Sequence, residues 1–314
     1  MWGPLTLGQG LRLFVSAAMI GLMKKALIFG LVTVALLATY IWFDRDRLAL
    51  IYAASQTETR TQTELEDLLV PQMVWRLPDP DVAGAGPYPL FVQMHGCGGL
   101  NLDHHGSYAD IANAAGYAAL IVSSNAPRGY DQQASIEQIC QGKALLGQER
   151  AGDIFVALKH ALQRDDIDPE RIVLGGWSHG AWTVMDYLSF DETDGLPVGL
   201  EAYDGPRPEI KAAVLFYPYC GIGTRARVHG WGGQNPDVLA LIGDNDSIVD
   251  HKACQYIFAQ LERGAGKAFE DHVYEGAEHA FDNGFLPEDL AHWYDKEHSR
   301  DAREKVAGFL QAQR

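Results

Sequence analysis

Gly176-Trp177-Ser178-His179-Gly180 carries the most chemistry of any segment in this 314-residue sequence. It satisfies G-x-S-x-G, follows the apolar run RIVLGG and opens the helical segment AWTVMDYLSF. That is the strand–turn–helix setting in which a serine is lifted above a sheet. Glycine at both flanks is needed there because side chains would collide in so sharp a turn. A serine hydroxyl is a poor nucleophile until a base takes its proton, so an acid and a histidine must follow in the order Ser, Asp, His.

VLALIGDNDSIVD offers Asp244, Asp246 and Asp250 as the acid. Asp246 is preferred, because Gly243 and two turn residues let the chain leave its strand before the carboxylate points back. The same spacing hints at a calcium loop. Val249 and Gln255 stand where that loop requires glycine and glutamate, which discounts it. The base is His279 in YEGAEHAFDN, 33 residues past Asp246 and just after the last strand candidate. His272 sits inside that strand, and His251 follows the acid loop too closely to be aimed independently.

The oxyanion formed on attack requires prearranged main-chain N–H donors. His179, directly after the serine, supplies one. LFVQMHGCGGL supplies the other from Cys97, with Gly98 the alternative, and His95 fixes that loop. Trp177, Trp182, Trp231, Tyr130 and Tyr219 are candidates to line a substrate pocket. The loop 221–234 is too short for a lid domain, so an open mouth is expected. Asp103-His104-His105 reads as solvated loop. With no CxxC or HExxH present, neither a metal nor any other cofactor is expected.

The elements that must position these groups alternate along the chain. Apolar runs at 74–77, 89–94, 118–123, 171–175, 212–217, 238–242 and 269–274 read as strands. Helical periodicity falls at 107–115, 148–163, 181–190, 250–263 and 288–313. Continuous apolar strands separated by helices predict an α/β fold with a mostly parallel central sheet covered on both faces. Lys plus Arg total 25 against 41 Asp plus Glu, a net charge of −16, and no basic run is visible. A nucleic-acid partner is therefore excluded.

The charge is unevenly placed. Arg12, Lys24, Lys25, Arg45 and Arg47 against Asp44 and Asp46 leave residues 1–55 at +3 and the rest at −19. Residues 26–43, ALIFGLVTVALLATYIWF, form an uncharged run of 18. That is about the minimum for a membrane-spanning helix and long for a signal-peptide core. A signal anchor is expected, with a cleaved signal or a buried helix as the alternatives. The catalytic body then lies outside the cytoplasm, periplasmic or extracellular, touching the membrane only through this helix. Met23-Lys24-Lys25 resembles a natural start, which would make residues 1–22 an over-extended gene start. Residues 56–70 read as a linker or edge helix, and residues 71–314 as one catalytic domain.

HGCGGL at 95–100, NAPRG at 125–129, ERAGDIFVALKHAL, GGWSHGA at 175–181, FYPYCG at 216–221, LIGDNDSIV and GAEHAF together resemble the α/β-hydrolase superfamily. More narrowly they resemble the dienelactone hydrolase family, from about Pro71 to the C-terminus. The resemblance implies an α/β-hydrolase fold and hydrolysis of a carboxylic ester or lactone through an acyl-enzyme, with a small-molecule substrate. Dienelactone hydrolases proper use a cysteine nucleophile. Ser178 departs from that and favours a serine esterase. Arg128 is a candidate for gripping a substrate carboxylate. A peptidase or acyltransferase using the same triad, and a non-catalytic binding protein on this fold, are the rival readings. Cys97, Cys140, Cys220 and Cys254 permit three complete pairings. The fold resemblance makes Cys97–Cys140 and Cys220–Cys254 the expected ones if the body is exported.

Overall fold

Aliphatic and β-branched runs bounded by glycines and polar turns form the central strands of one seven-stranded sheet, and more polar segments form its edges. In the computed structural model, which describes residues 17–43, 55, 57–191, 195–265 and 268–314, these are β1 (Val74–Arg76), β2 (Tyr88–Met94), β3 (Ala118–Val122), β4 (Ile167–Trp177), β5 (Ala212–Phe216), β6 (Asp237–Gly243) and β7 (Phe269–Tyr274). Their order across the sheet is β1-β3-β2-β4-β5-β6-β7. Only β1 runs antiparallel, against β3; the other pairs are parallel. Every residue of β2, β3 and β5 is buried, as expected where helices cover both faces.

The two faces have separate cores. On one side the helices Gly147–Ala161, His179–Leu188 and His251–Ala265 pack through residues such as Ile154, Leu158, Val184, Leu188 and Phe258. On the other, Leu102–Ala114 and Lys296–Ala312 cover Phe91, Val173, Phe216 and Leu239. The helical pattern over 288–313 breaks into a short 3-10 turn, Glu288–Trp293, and the long helix. Asp295 causes the break, because its carboxylate caps the second helix by accepting from the Glu297 and His298 amides.

The stretch read as linker or edge helix is part of the folded body. Thr61 and Glu64 form a capping box that starts the helix Gln62–Leu69. Leu65 and Leu69 on one face of that helix are fully buried among the first core. Upstream, the Arg60 amide donates to the Gly199 carbonyl (2.8 Å) and the Glu201 amide donates to the Arg60 carbonyl (2.9 Å).

Residues up to Leu48 form a separate unit containing the helix Ala17–Phe43. Leu22, Met23, Leu27 and Phe29 on it are exposed. Residues 1–16 and 44–54, on which the gene-start and flanking-charge expectations bear, lie outside the described residues, as do most side chains after Val34. Among the described residues no helix is long and apolar enough to cross a membrane.

Candidate active site

β4 ends at Trp177, and the chain then turns abruptly into the helix beginning at His179. Ser178 takes up the turn at φ 53° and ψ −116°, a conformation that L-residues avoid. Its amide donates to the Phe216 carbonyl at the end of neighbouring β5 (2.8 Å), so the strained residue is held by the sheet itself. The flanking glycines have steric causes. A side chain on Gly176 would meet the Ala181 amide nitrogen at 2.5 Å, and one on Gly180 would run into the Met94 and His95 carbonyls. Ser178 is half-exposed, so the site is open to solvent.

The loops carrying Asp246 and His279 leave β6 and β7, at the same end of the parallel sheet. His279 Nε2 lies 2.9 Å from Ser178 Oγ, and His279 Nδ1 lies 2.7 Å from Asp246 Oδ2. Only the Nδ1–H tautomer suits both contacts, because the carboxylate accepts and Nε2 is then free to receive the serine proton. The other Asp246 oxygen accepts from the Ile248 and Val249 amides, each at 2.8 Å. Asp246 is thereby fixed, with a side chain only 1% exposed.

The rival acids have other partners: Asp244 accepts from the Gly276 amide, and Asp250 from the Lys252 amide at a helix start. Glu278 braces the acid loop by accepting from the Ser247 amide (3.0 Å). Among the described residues no group of three metal-ligating side chains converges.

The loop after β2 passes beside the serine, since a side chain on Gly96 would lie 3.7 Å from Ser178 Cβ. Asn125 Nδ2 donates to the Cys97 carbonyl (2.8 Å) and Cys97 is bonded to Cys140; Cys220 is bonded to Cys254. His95 Nε2 accepts from the Ser124 amide, which leaves its Nδ1–H to donate to the Gly96 carbonyl.

Behind this loop lies Arg150, fully buried and not singled out by the sequence. It donates to the His95 carbonyl (2.7 Å), Ser124 Oγ (2.8 Å) and His179 Nδ1 (3.2 Å), which ties the loop after β2 and the start of the helix after Ser178 to one side chain. Burial pulls its guanidinium down to about 9, still charged at neutral pH. A strongly helical sequence context, ERAGDIFVAL, hides such a residue among ordinary surface arginines.

Several candidates find other employment. Arg128 is not free to grip a substrate carboxylate, because its guanidinium makes a two-pronged pair with buried Asp153 (3.0 and 2.7 Å). His104 and His105 are buried rather than solvated. The helix begins at Leu102, capped by Asn101, and turns both rings onto Trp177. Trp177 is itself core, stacked on Phe216. Trp182 is buried against Tyr219 and His179. Trp231 lines a cavity of about 610 Å³ that includes none of Ser178, Asp246 and His279. Tyr130 is half-buried.

The buried histidines make stability depend on pH. Burial holds His95 and His179 well below the ordinary imidazole range and pulls His104 and His105 to about 3. These four gain protons on unfolding below about pH 6.5. Burial also raises Glu149 to about 7 and lifts Asp186 well up, so these two lose protons on unfolding. Four taken up against two released leaves the unfolded state richer by about two protons near pH 5. Stability should therefore fall on acidification from pH 6.5 to 5, by about 2–3 kcal/mol per pH unit at the steepest. Urea midpoints measured across that range check this; a midpoint that rises on acidification would contradict it.

A mostly parallel seven-stranded sheet with a strained serine on the turn after its central strand defines an α/β-hydrolase. A model of the dienelactone hydrolase family matches residues 77–313, and the chain belongs to that family. Among curated proteins none matches the chain.

Solved structures share the fold at low identity. A protein assigned as a dienelactone hydrolase from Klebsiella pneumoniae subsp. pneumoniae is 17% identical, with a TM-score of 0.54, over 76% of this chain and 98% of its own. Esterase Est2 from Thermogutta terrifontis, with propionate bound, is 16% identical, with a TM-score of 0.55, over 76% and 88%. Carboxylesterase Cest-2923 from Lactobacillus plantarum WCFS1 is 15% identical, with a TM-score of 0.54, over 77% and 91%.

Proposed function

We propose that the chain is a serine hydrolase that cleaves a carboxylic ester or lactone through an acyl-enzyme. The observation that carries this is the continuous chain of contacts Ser178 Oγ, His279 Nε2, His279 Nδ1 and Asp246 Oδ2, with the serine in a strained, solvent-reached turn. Family membership and the esterases that share the fold support it.

Ser178 Oγ attacks the carbonyl carbon as its proton passes to His279 Nε2, and Asp246 holds the imidazolium. The amides of Cys97 and His179 receive the oxyanion, the latter at the positive end of a helix. Collapse expels the alkoxide, which takes the proton from His279. Water activated by the same nitrogen then releases the acid. The Arg128–Asp153 pair leaves that guanidinium engaged, so an uncharged ester suits this chain better than a lactone carrying a carboxylate. The test is to label the full-length chain with a fluorophosphonate and assay p-nitrophenyl butyrate hydrolysis beside Ser178→Ala. Folded wild-type protein that neither labels nor hydrolyses would overturn the reading.

The cellular setting is a second proposal: anchorage through residues 26–43 with the body in an oxidising compartment. It is supported by the uncharged 18-residue run and by two paired cysteine couples, which persist where thiols are not kept reduced. Retention of the protein in the membrane pellet after alkaline carbonate, with protease sensitivity from the outer side, is expected. Release into the soluble fraction would refute anchorage.

A further inference from the structure

Three residues past the base, Asp282 is completely buried, and three donors from three different elements converge on its carboxylate. Tyr217 Oη donates to Oδ1 (2.7 Å), and Tyr108 Oη and Trp177 Nε1 donate to Oδ2 (2.7 and 3.1 Å). Arg303 reaches only the Asp282 main-chain carbonyl (3.5 Å), and His104, 3.6 Å from Oδ2, is kept neutral by burial. A carboxylate taken out of water among neutral donors is costly, and well-packed apolar side chains would commonly serve stability as well. The donors show what the arrangement positions. Trp177 is the residue immediately before the serine. The Tyr217 ring, which has positive φ (33°), lies against the His279 ring at a centroid distance of 4.7 Å.

Taking the triad reading above as its basis, we propose that Asp282 is a positioning residue for Ser178 and His279, acting through Tyr217 and Trp177. One carboxylate fixes the strand end that delivers the nucleophile and the aromatic ring beside which the imidazole lies, tilted at 59°. It also acts when the proton moves. As Ser178 Oγ gives its proton to His279 Nε2, a positive ring forms beside the Tyr217 face. A phenol donating to a carboxylate is more electron-rich, and an electron-rich face favours a cation. This support is greater in the transition state than in the resting site, so its loss lowers kcat and leaves KM largely unchanged.

Tyr108 provides the internal control, since it donates to the same carboxylate without touching His279. Steady-state kinetics and thermal midpoints of the full-length wild type, Asp282→Asn, Tyr217→Phe and Tyr108→Phe on p-nitrophenyl butyrate test the proposal. Asp282→Asn is expected to lower kcat about 10–100-fold, and Tyr217→Phe about 10-fold, each with KM within about 2-fold. Tyr108→Phe is expected to lose a similar thermal midpoint to Tyr217→Phe but to keep kcat within about 2-fold. Equal kcat losses in the two tyrosine variants, tracking stability, would mean a merely structural network and overturn the proposal, as would an unimpaired Asp282→Asn. If Asp282→Asn does not fold, the tyrosine pair decides alone. An inactive, unlabelled but folded wild type would instead overturn the hydrolase reading beneath it.

Discussion

Replacing Ser178 with alanine is expected to lower kcat/KM on a short-chain ester by ~10⁴-fold or more and to abolish fluorophosphonate labelling. In the proposed mechanism the serine oxygen forms the acyl bond, and no neighbouring group is placed to stand in. His179 is fully buried, with Nδ1 accepting from Arg150, and the next hydroxyl along the helix, Thr183, donates to the His179 carbonyl. His279→Ala should cost about as much, because the hydroxyl at 2.9 Å loses its only proton acceptor in the triad. The pair provides a sharper check than either alone. Residues that act as one unit are not additive, so the double variant should be no worse than the single ones, with a residual rate set by the oxyanion donors. Additive losses would show that the two residues work independently and that the triad is not assembled as proposed.

The second large effect concerns the disulfides. Cys97–Cys140 closes a separation of 43 residues and Cys220–Cys254 one of 34. On chain-entropy grounds each stabilises the fold by about 4 kcal/mol. Cys97→Ser with Cys140→Ser, and Cys220→Ser with Cys254→Ser, should therefore lower stability by similar amounts in urea titrations. Their effects on catalysis should differ. Cys220 and Cys254 are buried, both sulfurs lie near the Pro218 carbonyl, and neither residue supplies a proposed oxyanion donor. Cys97 sits in the turn beside Ser178, and its amide is the proposed oxyanion donor. Removing that bridge should lower kcat by ~10–10², toward the cost of losing such a donor, whereas removing the other leaves kcat within about 2-fold. Equal activity in the two double variants would refute the assignment of Cys97.

That Ser178, Asp246 and His279 would come together was legible because the constraints on each are local. The elbow needs glycine at fixed offsets, and chain order restricts where the acid and base can stand. The central strands were legible because burial on both faces writes β2, β3 and β5 as nearly unbroken apolar runs, while the edge strands β1 and β7 are shorter or partly exposed. Residues whose roles depend on long-range partners were not legible. Arg128 precedes Asp153 by 25 positions, and only the folded helix Gly147–Ala161 brings that carboxylate to it. Arg150 and Asp282 look like surface charges in sequence, because nothing local marks a polar side chain whose donors and acceptors lie on other, distant elements. The histidines at 104 and 105 mislead for the same reason: Asn101 caps a helix earlier than the periodicity suggests, and rotation about that helix buries them. The helix at 62–69 was concealed by its own composition, since two buried leucines, Leu65 and Leu69, among mostly polar residues are enough to dock it.

That small helix also determines where the molecule can be cut. The family match begins at residue 77, and a fragment trimmed there would look complete by homology. It would lack Leu65 and Leu69, and would leave open to solvent the apolar furrow they fill against the helix Gly147–Ala161, the same helix that carries Arg150 to the site. Such a fragment would expose a sticky scar and lose the brace behind its catalytic scaffold. A soluble version for crystallisation or evolution in the laboratory should therefore begin no later than Thr57, ahead of both the capping box and the Arg60 pairing with Gly199 and Glu201.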